Sequence, residues 1–225
     1  MATGRQLEAA KTKALARESA EITPNGAASS RSVALVRKTR ETNIAIRLNL
    51  DGSGQSAIST GVRFLDHMLE SFARHGFFDL TVKAEGDLDI DDHHTVEDVG
   101  IVLGRAFKQA LGDRSGIKRF GAATVPLDEA LCSAVVDISG RSYLAYRVRI
   151  KQERVGRFQT VLVQDFMKAF ADETGMNLHL DMQSGRNPHH IIEATFKALA
   201  RAMDQATSLE PRAQGVALST KGTLS

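Results

Sequence analysis

Two stretches of the chain, HHTVEDVGIVLGRAFKQA at residues 93–110 and HHIIEATFKALARAMDQA at residues 189–206, closely resemble each other. Each begins with a His-His pair, has a glutamate four residues after the first histidine, and continues with apolar residues at helical spacing. Upstream, HMLESFA from His67 aligns with DFMKAFA from Asp165. Because the similar segments recur in the same order, we interpret the sequence as an internal duplication with its boundary near residue 121.

Secondary-structure signals recur in the same order on both sides of this boundary. In the first half, apolar–polar alternation and helical spacing predict strands at residues 32–39, 42–50 and 77–83 and helices at 63–75 and 93–111. Glycine and proline predict a break at residues 121–126. In the second half, the same signals predict strands at 130–138, 141–150 and 177–181 and helices at 161–172 and 189–207. The chain then divides into a flexible tail at residues 1–31, a first half at 32–120 and a second half at 121–225.

The composition is that of a globular protein and excludes several functional classes. Apolar residues make up 42% of the chain and charged residues 25%, which excludes a wholly disordered chain. No apolar run approaches the roughly 20 residues of a membrane-spanning helix, so we expect no membrane partner. The net charge of +2, with no tryptophan and two tyrosines, gives no footprint for nucleic acid. A single cysteine, Cys132, and an N-terminus without an apolar signal segment predict a cytoplasmic protein.

The paired histidines have the spacing of metal ligands on a helix. Residues four apart lie on one helix face, so His93 and Glu97 can reach one ion, and His189 and Glu193 can reach another. Adjacent residues diverge by roughly 100° around the helix axis, so His94 cannot easily bind the same ion as His93. A single HxxxE is usually a solvated pair. Its repetition at two helix N-termini, where the helix dipole disfavours protonated histidine, favours metal binding.

A duplicated fold can resolve this divergence by exchange between the repeats. We expect His94 to cross to the ion of the second helix and His190 to cross to the ion of the first. His67 and its repeat partner Asp165 would each complete one site. The two predicted ligand sets are His67, His94, His189 and Glu193, and His93, Glu97, Asp165 and His190. Each set leaves coordination positions open for water or substrate.

The donor types alone leave the metal and the activity open. Imidazole suits Zn, Fe, Ni and Cu, carboxylate favours Mn and other hard ions, and the absence of cysteine ligands argues against a closed structural zinc site. One alternative is another metal-dependent enzyme, such as a hydrolase with a bridging hydroxide. A non-catalytic metal-storage, scaffold or RNA-binding protein is a second alternative. The near-neutral charge weighs against RNA, and storage does not account for Arg119, Arg141 and Lys221.

Three segments of the chain resemble one known family. FLDHMLESFARHGFFDLTVKAEGDLDIDDHHTVEDVGIVLGRA at residues 64–106, SGRNPHHIIEATFKALARA at 184–202 and STKG at 219–222 closely resemble imidazoleglycerol-phosphate dehydratase, and the resemblance extends over residues 32–225. It implies a lyase of histidine biosynthesis that converts imidazole glycerol phosphate to imidazole acetol phosphate and water. Two Mn²⁺ ions and a homo-oligomer of 24 subunits built from trimers are also implied. The implied fold is α/β (α+β, two-layer) and internally duplicated, with a four-stranded mixed sheet and two helices in each half and the helices packed between the sheets.

The metal ligands of this family match both predicted sets, with one departure. Most members have histidine where this chain has Asp165. A carboxylate is a competent Mn²⁺ ligand, and here it adds a negative charge beside Glu97. The departure therefore bears on the affinity and coordination of that one ion.

The resemblance also implies a mechanism and the residues that perform it. Two ions, one at each ring nitrogen of the substrate, would stabilise an imidazolate that expels the neighbouring hydroxyl before a proton leaves the next carbon. Glu41 matches the acid–base carboxylate of the family, and the implied catalytic set is Glu41, His67, His94, Glu97, His189 and Glu193. The implied substrate and phosphate contacts, of which the last three lie in a tail that closes the site, are His75, Arg119, Arg141, Lys197, Ser219, Thr220 and Lys221.

Overall fold

The computed structural model describes residues 31–213, 215–222 and 224, so nearly all of the predicted tail at residues 1–31 lies outside the described residues. Two four-stranded mixed sheets and four long helices form most of the described chain. The first sheet has the order β1-β2-β4-β3 and consists of β1 (Ser32–Lys38), β2 (Thr42–Asn49), β3 (Ser56–Ser59) and β4 (Asp79–Gly86). The same half contains helices α1 (Arg63–Gly76) and α2 (His93–Leu111).

The second half repeats this topology. Its sheet has the order β5-β6-β10-β7 and consists of β5 (Phe120–Leu127), β6 (Ala130–Asp137), β7 (Tyr143–Arg147) and β10 (Asn177–Ser184). It also contains a small hairpin, two helices and a 3-10 turn: β8 (Arg154–Val155), β9 (Phe158–Gln159), α3 (Leu162–Thr174), α4 (Pro188–Thr207) and Pro211–Ala213. In both sheets the first, second and last strands pair antiparallel, and the third pairs in parallel with the last. The predicted α/β fold of two similar halves is therefore confirmed.

The helices pair across the duplication. Helix α1 of the first half packs against α4 of the second, and α2 of the first half packs against α3 of the second. Helix α2 also covers β1 and β2, and α4 covers β5 and β6, so the helices lie between the sheets. Phe72 on α1, Phe107 on α2 and Phe170 on α3 meet edge to face, with ring centroids 5.3–6.1 Å apart. One apolar core thus joins the two halves. No described helix is long and apolar enough to span a membrane.

Helices α2 and α3 approach each other at backbone distance because glycines line their contact. A Cβ atom on Gly100 would lie 2.9 Å from the carbonyl oxygen of Phe166, and one on Gly104 would lie 2.8 Å from that of Phe170. No side chain fits in this space, which is the use of glycine at a close backbone approach. The contact aligns the two helices, one from each half, along their length.

The structure corrects three details of the predicted strands. The break predicted at residues 121–126 is wrong, because these residues belong to β5. A Cβ on Gly121 would lie 1.9 Å from the carbonyl oxygen of Ala202, so this glycine permits α4 to pack on the strand and does not mark a turn. Strand β3 was not predicted, because it is four residues long and pairs in parallel with β4. The strand predicted at residues 141–150 spans only Tyr143–Arg147.

We predict that Gly104→Ala destabilises the protein, although alanine is the better helix former by about 1 kcal/mol. The added methyl group overpacks the contact between α2 and α3, and overpacking costs about 1–3 kcal/mol. The urea unfolding midpoint should therefore fall. Gln109→Ala, at an exposed position of the same helix, serves as the control and should change stability little. A midpoint at or above that of the unmodified protein would contradict the close approach.

Candidate active site

One cluster of ligand atoms lies where α1 meets α4, and we call His67, His189 and Glu193 the first cluster. The Nε2 atoms of His67 and His189 lie 3.5 and 3.1 Å from Glu193 Oε2. The ligand atoms of the three residues all lie within 4.8 Å of one another. Two imidazoles and a carboxylate at this spacing suit a divalent transition-metal ion. His67 comes from the first half and the other two from the second, so the cluster exists only because α1 and α4 pack together.

The charge of the first cluster is set by Lys197. Its Nζ atom lies 2.8 Å from Glu193 Oε1. Burial raises the pKa of Glu193, but the hydrogen bond and charge of Lys197, together with the two histidines, outweigh burial, and the pKa lies below its ordinary value. Burial and then the Lys197 charge lower the pKa of His75. Glu193 is therefore held as the carboxylate, which is the form that binds a cation.

A second cluster, which consists of His93, Glu97 and Asp165, lies where α2 meets α3. His93 Nε2 lies 3.7 Å from Glu97 Oε2, and His93 Nδ1 lies 3.7 Å from Asp165 Oδ2. The imidazole faces its two carboxylates with different nitrogen atoms. Among the described residues, His93, Glu97 and Asp165 do not form a group whose ligand atoms all lie within 4.8 Å of one another. The second cluster is thus looser than the first, and it also draws on both halves.

The second histidine of each pair has a carboxylate partner outside the clusters. His94 Nδ1 lies 2.9 Å from Asp87 Oδ2, and His190 Nδ1 lies 2.8 Å from Glu129 Oε2. Among the described residues, neither histidine belongs to a group of three ligand atoms within 4.8 Å. The crossing predicted for His94 and His190 is therefore not made within one chain, because the two carboxylates hold these rings elsewhere.

These two carboxylates also fix where the protons lie. An ionised carboxylate only accepts hydrogen bonds, so the proton of each contact is on Nδ1 and the Nε2 of the neutral ring carries the lone pair. The hydrogen bond to Asp87 raises the pKa of His94. The hydrogen bond from His190, with the backbone N–H of Asn187, lowers the pKa of Glu129 to about 2. Both rings therefore present Nε2 as a potential metal ligand.

Side-chain oxygens hold the first backbone N–H groups of the two ligand-bearing helices. At α2, Asp91, which precedes the N-cap Asp92, accepts a hydrogen bond at Oδ1 from the backbone N–H of His93 at 2.8 Å. At α4, the N-cap Asn187 accepts one at Oδ1 from His189 at 3.0 Å, and Pro188 occupies the first helical position. The first histidine of each pair therefore lies at the start of its helix, with the glutamate one turn further on.

A pocket of about 560 Å³ lies against the C-terminal segment, and it is lined by residues 217–221, Arg119, Ser139, Arg141 and Leu224. Arg119 donates to Asp137 through Nε at 2.7 Å and Nη2 at 3.1 Å, and its Nη1 donates to the Leu218 carbonyl at 2.6 Å. This arginine therefore ties the segment to β6. None of the described lining residues is acidic, and Arg141 and Lys221 make the pocket cationic. Such a pocket suits a phosphate group.

The residues predicted to contact substrate fall into two groups. Those that line the cationic pocket are Arg119, Arg141, Ser219, Thr220 and Lys221. Lys197 and His75 instead belong to the surroundings of the first cluster. Glu41 lies immediately before β2, is exposed, and contributes through its charge to the raised pKa of His94.

Sequence reasoning missed three carboxylates at the site, namely Asp87, Glu129 and Asp137. Glu129 had a recognisable signal, because it immediately precedes the second strand of its half, as Glu41 does in the first half. No sequence signal paired Asp137 with Arg119. These two residues meet because the antiparallel register of β5 and β6 places Phe120 opposite Asp137.

Known proteins share both the sequence and the fold of this chain. A family model described as Imidazoleglycerol-phosphate dehydratase matches residues 60–203. The imidazoleglycerol-phosphate dehydratases of Pelobacter propionicus and Geobacter sp. strain M21 are 59% and 57% identical over 194 residues, which cover 86% of this chain and 99% of each relative. The crystal structure of the Staphylococcus aureus enzyme has 38% identity and a TM-score of 0.73, and covers 80% of this chain and 99% of that one. The Pyrococcus furiosus structure, in complex with (S)-C348, has 36% identity and a TM-score of 0.74, with coverages of 84% and 100%.

The duplicated α/β scaffold, with imidazoles and carboxylates gathered between its halves and a cationic pocket in the second half, defines the class as an α/β enzyme. The chain belongs to the imidazoleglycerol-phosphate dehydratase family. It is therefore a lyase, a dehydratase of histidine biosynthesis, and the resemblance found in the sequence is confirmed.

We predict that Lys197→Met raises the pKa of Glu193, because burial then acts without the compensating ammonium. A protonated carboxyl group cannot bind a cation, so, with Mn²⁺ as the probe ion, we expect binding to be lost on acidification at a higher pH than in the unmodified protein. Calorimetric titration with Mn²⁺ between pH 5 and 8 measures this midpoint. Lys168→Met removes a lysine that pairs with Asp172 on α3 and should leave the midpoint in place. An unmoved midpoint in Lys197→Met would refute the electrostatic role of Lys197.

Proposed function

We propose that this chain converts imidazole glycerol phosphate to imidazole acetol phosphate and water with the help of two Mn²⁺ ions. The observation that carries the proposal is the first cluster, in which His67, His189 and Glu193 bring their ligand atoms within 4.8 Å of one another at a junction of the two halves. The names of the relatives supply the reaction. The cationic pocket supplies a place for the phosphate of such a substrate.

The ligand atoms of the first and second clusters suit divalent ions of hard or borderline character. The first cluster offers two imidazoles and one carboxylate, and the second offers one imidazole and two carboxylates, because Asp165 stands where the duplication has His67. Carboxylate-rich donors favour Mn²⁺ over softer ions. When bound, the two ions would supply Lewis acidity toward the imidazole ring of the substrate. The extra carboxylate gives the second cluster the larger negative charge.

We propose that each ligand set is completed by a second copy of the chain. His94 and His190 complete no cluster within the described chain, yet their carboxylate partners leave Nε2 of each ring available. A neighbouring copy that contributes His94 to the first cluster and His190 to the second would restore both four-ligand sets predicted from the duplication. The protein would then be active only as an assembly of several chains.

Exposed apolar side chains support such an assembly. Val36 on β1, Val135 on β6 and Tyr143 on β7 are each about half exposed, and contacts between copies of the chain would bury such side chains. We propose a homo-oligomer, and by the family resemblance one of 24 subunits built from trimers. The proposed location is the cytoplasm, in keeping with the single free cysteine, Cys132.

Glu41 is our candidate for the proton transfers. It is exposed at the end of the β1–β2 connection, its backbone carbonyl accepts a hydrogen bond from Asp87 at 3.1 Å, and its charge acts on His94. The reaction requires a base for the proton on the carbon next to the departing hydroxyl, and a carboxylate beside the imidazole ligands can accept it. Arg141, Lys221 and Ser219 would hold the phosphate and so fix the reacting carbons near Glu41 in the assembled site.

The proposed reaction is tested by incubating the protein with Mn²⁺ and imidazole glycerol phosphate and measuring the absorbance of the enolised ketone after alkali. We predict that Glu41→Gln lowers kcat by about 10²–10⁴-fold, the usual contribution of a general acid or base, while two Mn²⁺ ions per chain remain bound. Glu70→Gln, at an exposed position on α1, is the control and should keep full activity. Substantial residual kcat in Glu41→Gln would remove it from the mechanism, and no keto product from the unmodified protein would overturn the proposed function.

We predict that Lys221→Met, and more strongly the deletion of residues 219–225, raises KM for the phosphorylated substrate while assembly is unchanged. Hydrogen bonds to charged groups contribute about 1.5–3 kcal/mol, so the expected rise for Lys221→Met is roughly 10- to 100-fold. Arg212→Met is the matched control, since this exposed arginine pairs with Glu210 at 2.7 Å. Steady-state kinetics measures KM, and light scattering measures the size of the assembly. Unaltered kinetics in the deletion variant would reject a role for the segment in binding substrate.

A further inference from the structure

Glu129 makes contacts on both oxygens of its carboxylate. Oε1 accepts hydrogen bonds from the backbone N–H groups of Arg186 at 3.2 Å and Asn187 at 2.8 Å, immediately before α4. Oε2 accepts from His190 Nδ1 at 2.8 Å. One side chain at the β5–β6 turn therefore connects the loop that starts α4 to the second histidine of that helix.

We propose that Glu129 is a positioning residue that sets the tautomer and direction of His190, so that Nε2 can serve as a metal ligand. The inference rests on the proposed function, because it assigns His190 to an ion. The carboxylate acts through His190, because its other contacts are to the backbone N–H groups of Arg186 and Asn187.

The physical argument concerns one proton. Because the carboxylate has no hydrogen to donate, His190 must carry its proton on Nδ1, and the lone pair of the neutral ring is then on Nε2. The two backbone hydrogen bonds fix Oε1, so the carboxylate cannot turn away from the ring. Carboxylates that hold a ligating histidine in this way usually improve metal affinity about 10- to 100-fold.

Glu129 occupies the position in the second half that Glu41 occupies in the first. Each glutamate immediately precedes the second strand of its half, at Thr42 and Ala130. In the first half, however, the hydrogen bond to the corresponding histidine comes from Asp87, and Glu41 acts on His94 through its charge. The ring of the second histidine is therefore held by Asp87 in the first half and by Glu129 in the second.

The two positioning carboxylates should respond differently to amide substitution. In Glu129→Gln, the amide oxygen is retained by the N–H groups of Arg186 and Asn187, so the amide NH₂ faces His190 Nδ1. That donor forces the proton of His190 onto Nε2 and blocks metal binding there. Asp87 Oδ1 is buried and has no hydrogen-bond partner among the described residues. In Asp87→Asn the amide can therefore turn and still offer its oxygen to His94, and the loss should be smaller.

The test is equilibrium dialysis of the purified full chain against Mn²⁺, with the unmodified protein, Glu129→Gln, Asp87→Asn and the control Asp128→Asn. Asp128 is the neighbour of Glu129, and its Oδ2 lies 3.8 Å from His190 Nδ1. We expect Glu129→Gln to lower the affinity for one of the two Mn²⁺ ions about 10- to 100-fold. Asp87→Asn should lower the affinity less, and Asp128→Asn should have the affinity of the unmodified protein. A thermal midpoint recorded without metal establishes that each variant is folded.

Two further measurements separate positioning from a structural role. In a His190→Ala background, Glu129→Gln should weaken Mn²⁺ no further, and an equal additional loss there would overturn the proposal. In metal-free protein labelled with ¹⁵N-histidine, magic-angle-spinning NMR should show His190 with its proton on Nδ1, and on Nε2 in Glu129→Gln. An unchanged tautomer, or an Mn²⁺ affinity of Glu129→Gln equal to that of Asp128→Asn, would also overturn it. If the unmodified protein binds no Mn²⁺, the proposed function fails, and the tautomer measurement still decides whether Glu129 positions His190.

Discussion

The site depends on the packing of each helix of the first half against a helix of the second. Neither half holds a complete cluster, because His67 meets His189 and Glu193 only where α1 contacts α4, and the second cluster forms only where α2 contacts α3. The contact between α2 and α3 is close enough to exclude a Cβ atom at Gly100 and Gly104. Core packing and the placement of ligands are therefore one constraint, and a shift between the helices would disturb both.

The electrostatics of the site rest on carboxylates that face imidazoles in two different ways. In the clusters, carboxylate oxygens lie 3.1–3.7 Å from histidine nitrogens. Outside the clusters, Asp87 and Glu129 accept hydrogen bonds from Nδ1 at 2.9 and 2.8 Å and leave Nε2 available. The first arrangement gathers donor atoms, and the second holds one ring nitrogen and leaves the other available. Together they account for two adjacent histidines with different roles in each half.

The two halves differ in several charged side chains around the site. Asp165 stands at the repeat position of His67, which makes the second cluster richer in carboxylate than the first. The ring of the second histidine is held by Asp87 in one half and by Glu129 in the other. The cationic pocket is lined by residues of the second half and by Arg119 at the end of the first, which connects β6 to the C-terminal segment through Asp137 and Leu218. Similar backbones thus support different chemistry because individual side chains at equivalent positions have changed.

The sequence by itself determined the duplication and the four helices, and it predicted the types of candidate ligand. Helical periodicity is local, so the prediction at residues 93–111 agrees with His93–Leu111, and the prediction at 189–207 differs from Pro188–Thr207 by one residue. Only the tertiary structure decided that β3 pairs in parallel with β4 and that Gly121 lies in a strand against α4. It also decided which histidines share a cluster within one chain and which face a carboxylate, as His190 faces Glu129, 61 residues away. The reason is physical: spacing along one helix fixes which face a side chain occupies, but the partner it meets there depends on how distant segments pack.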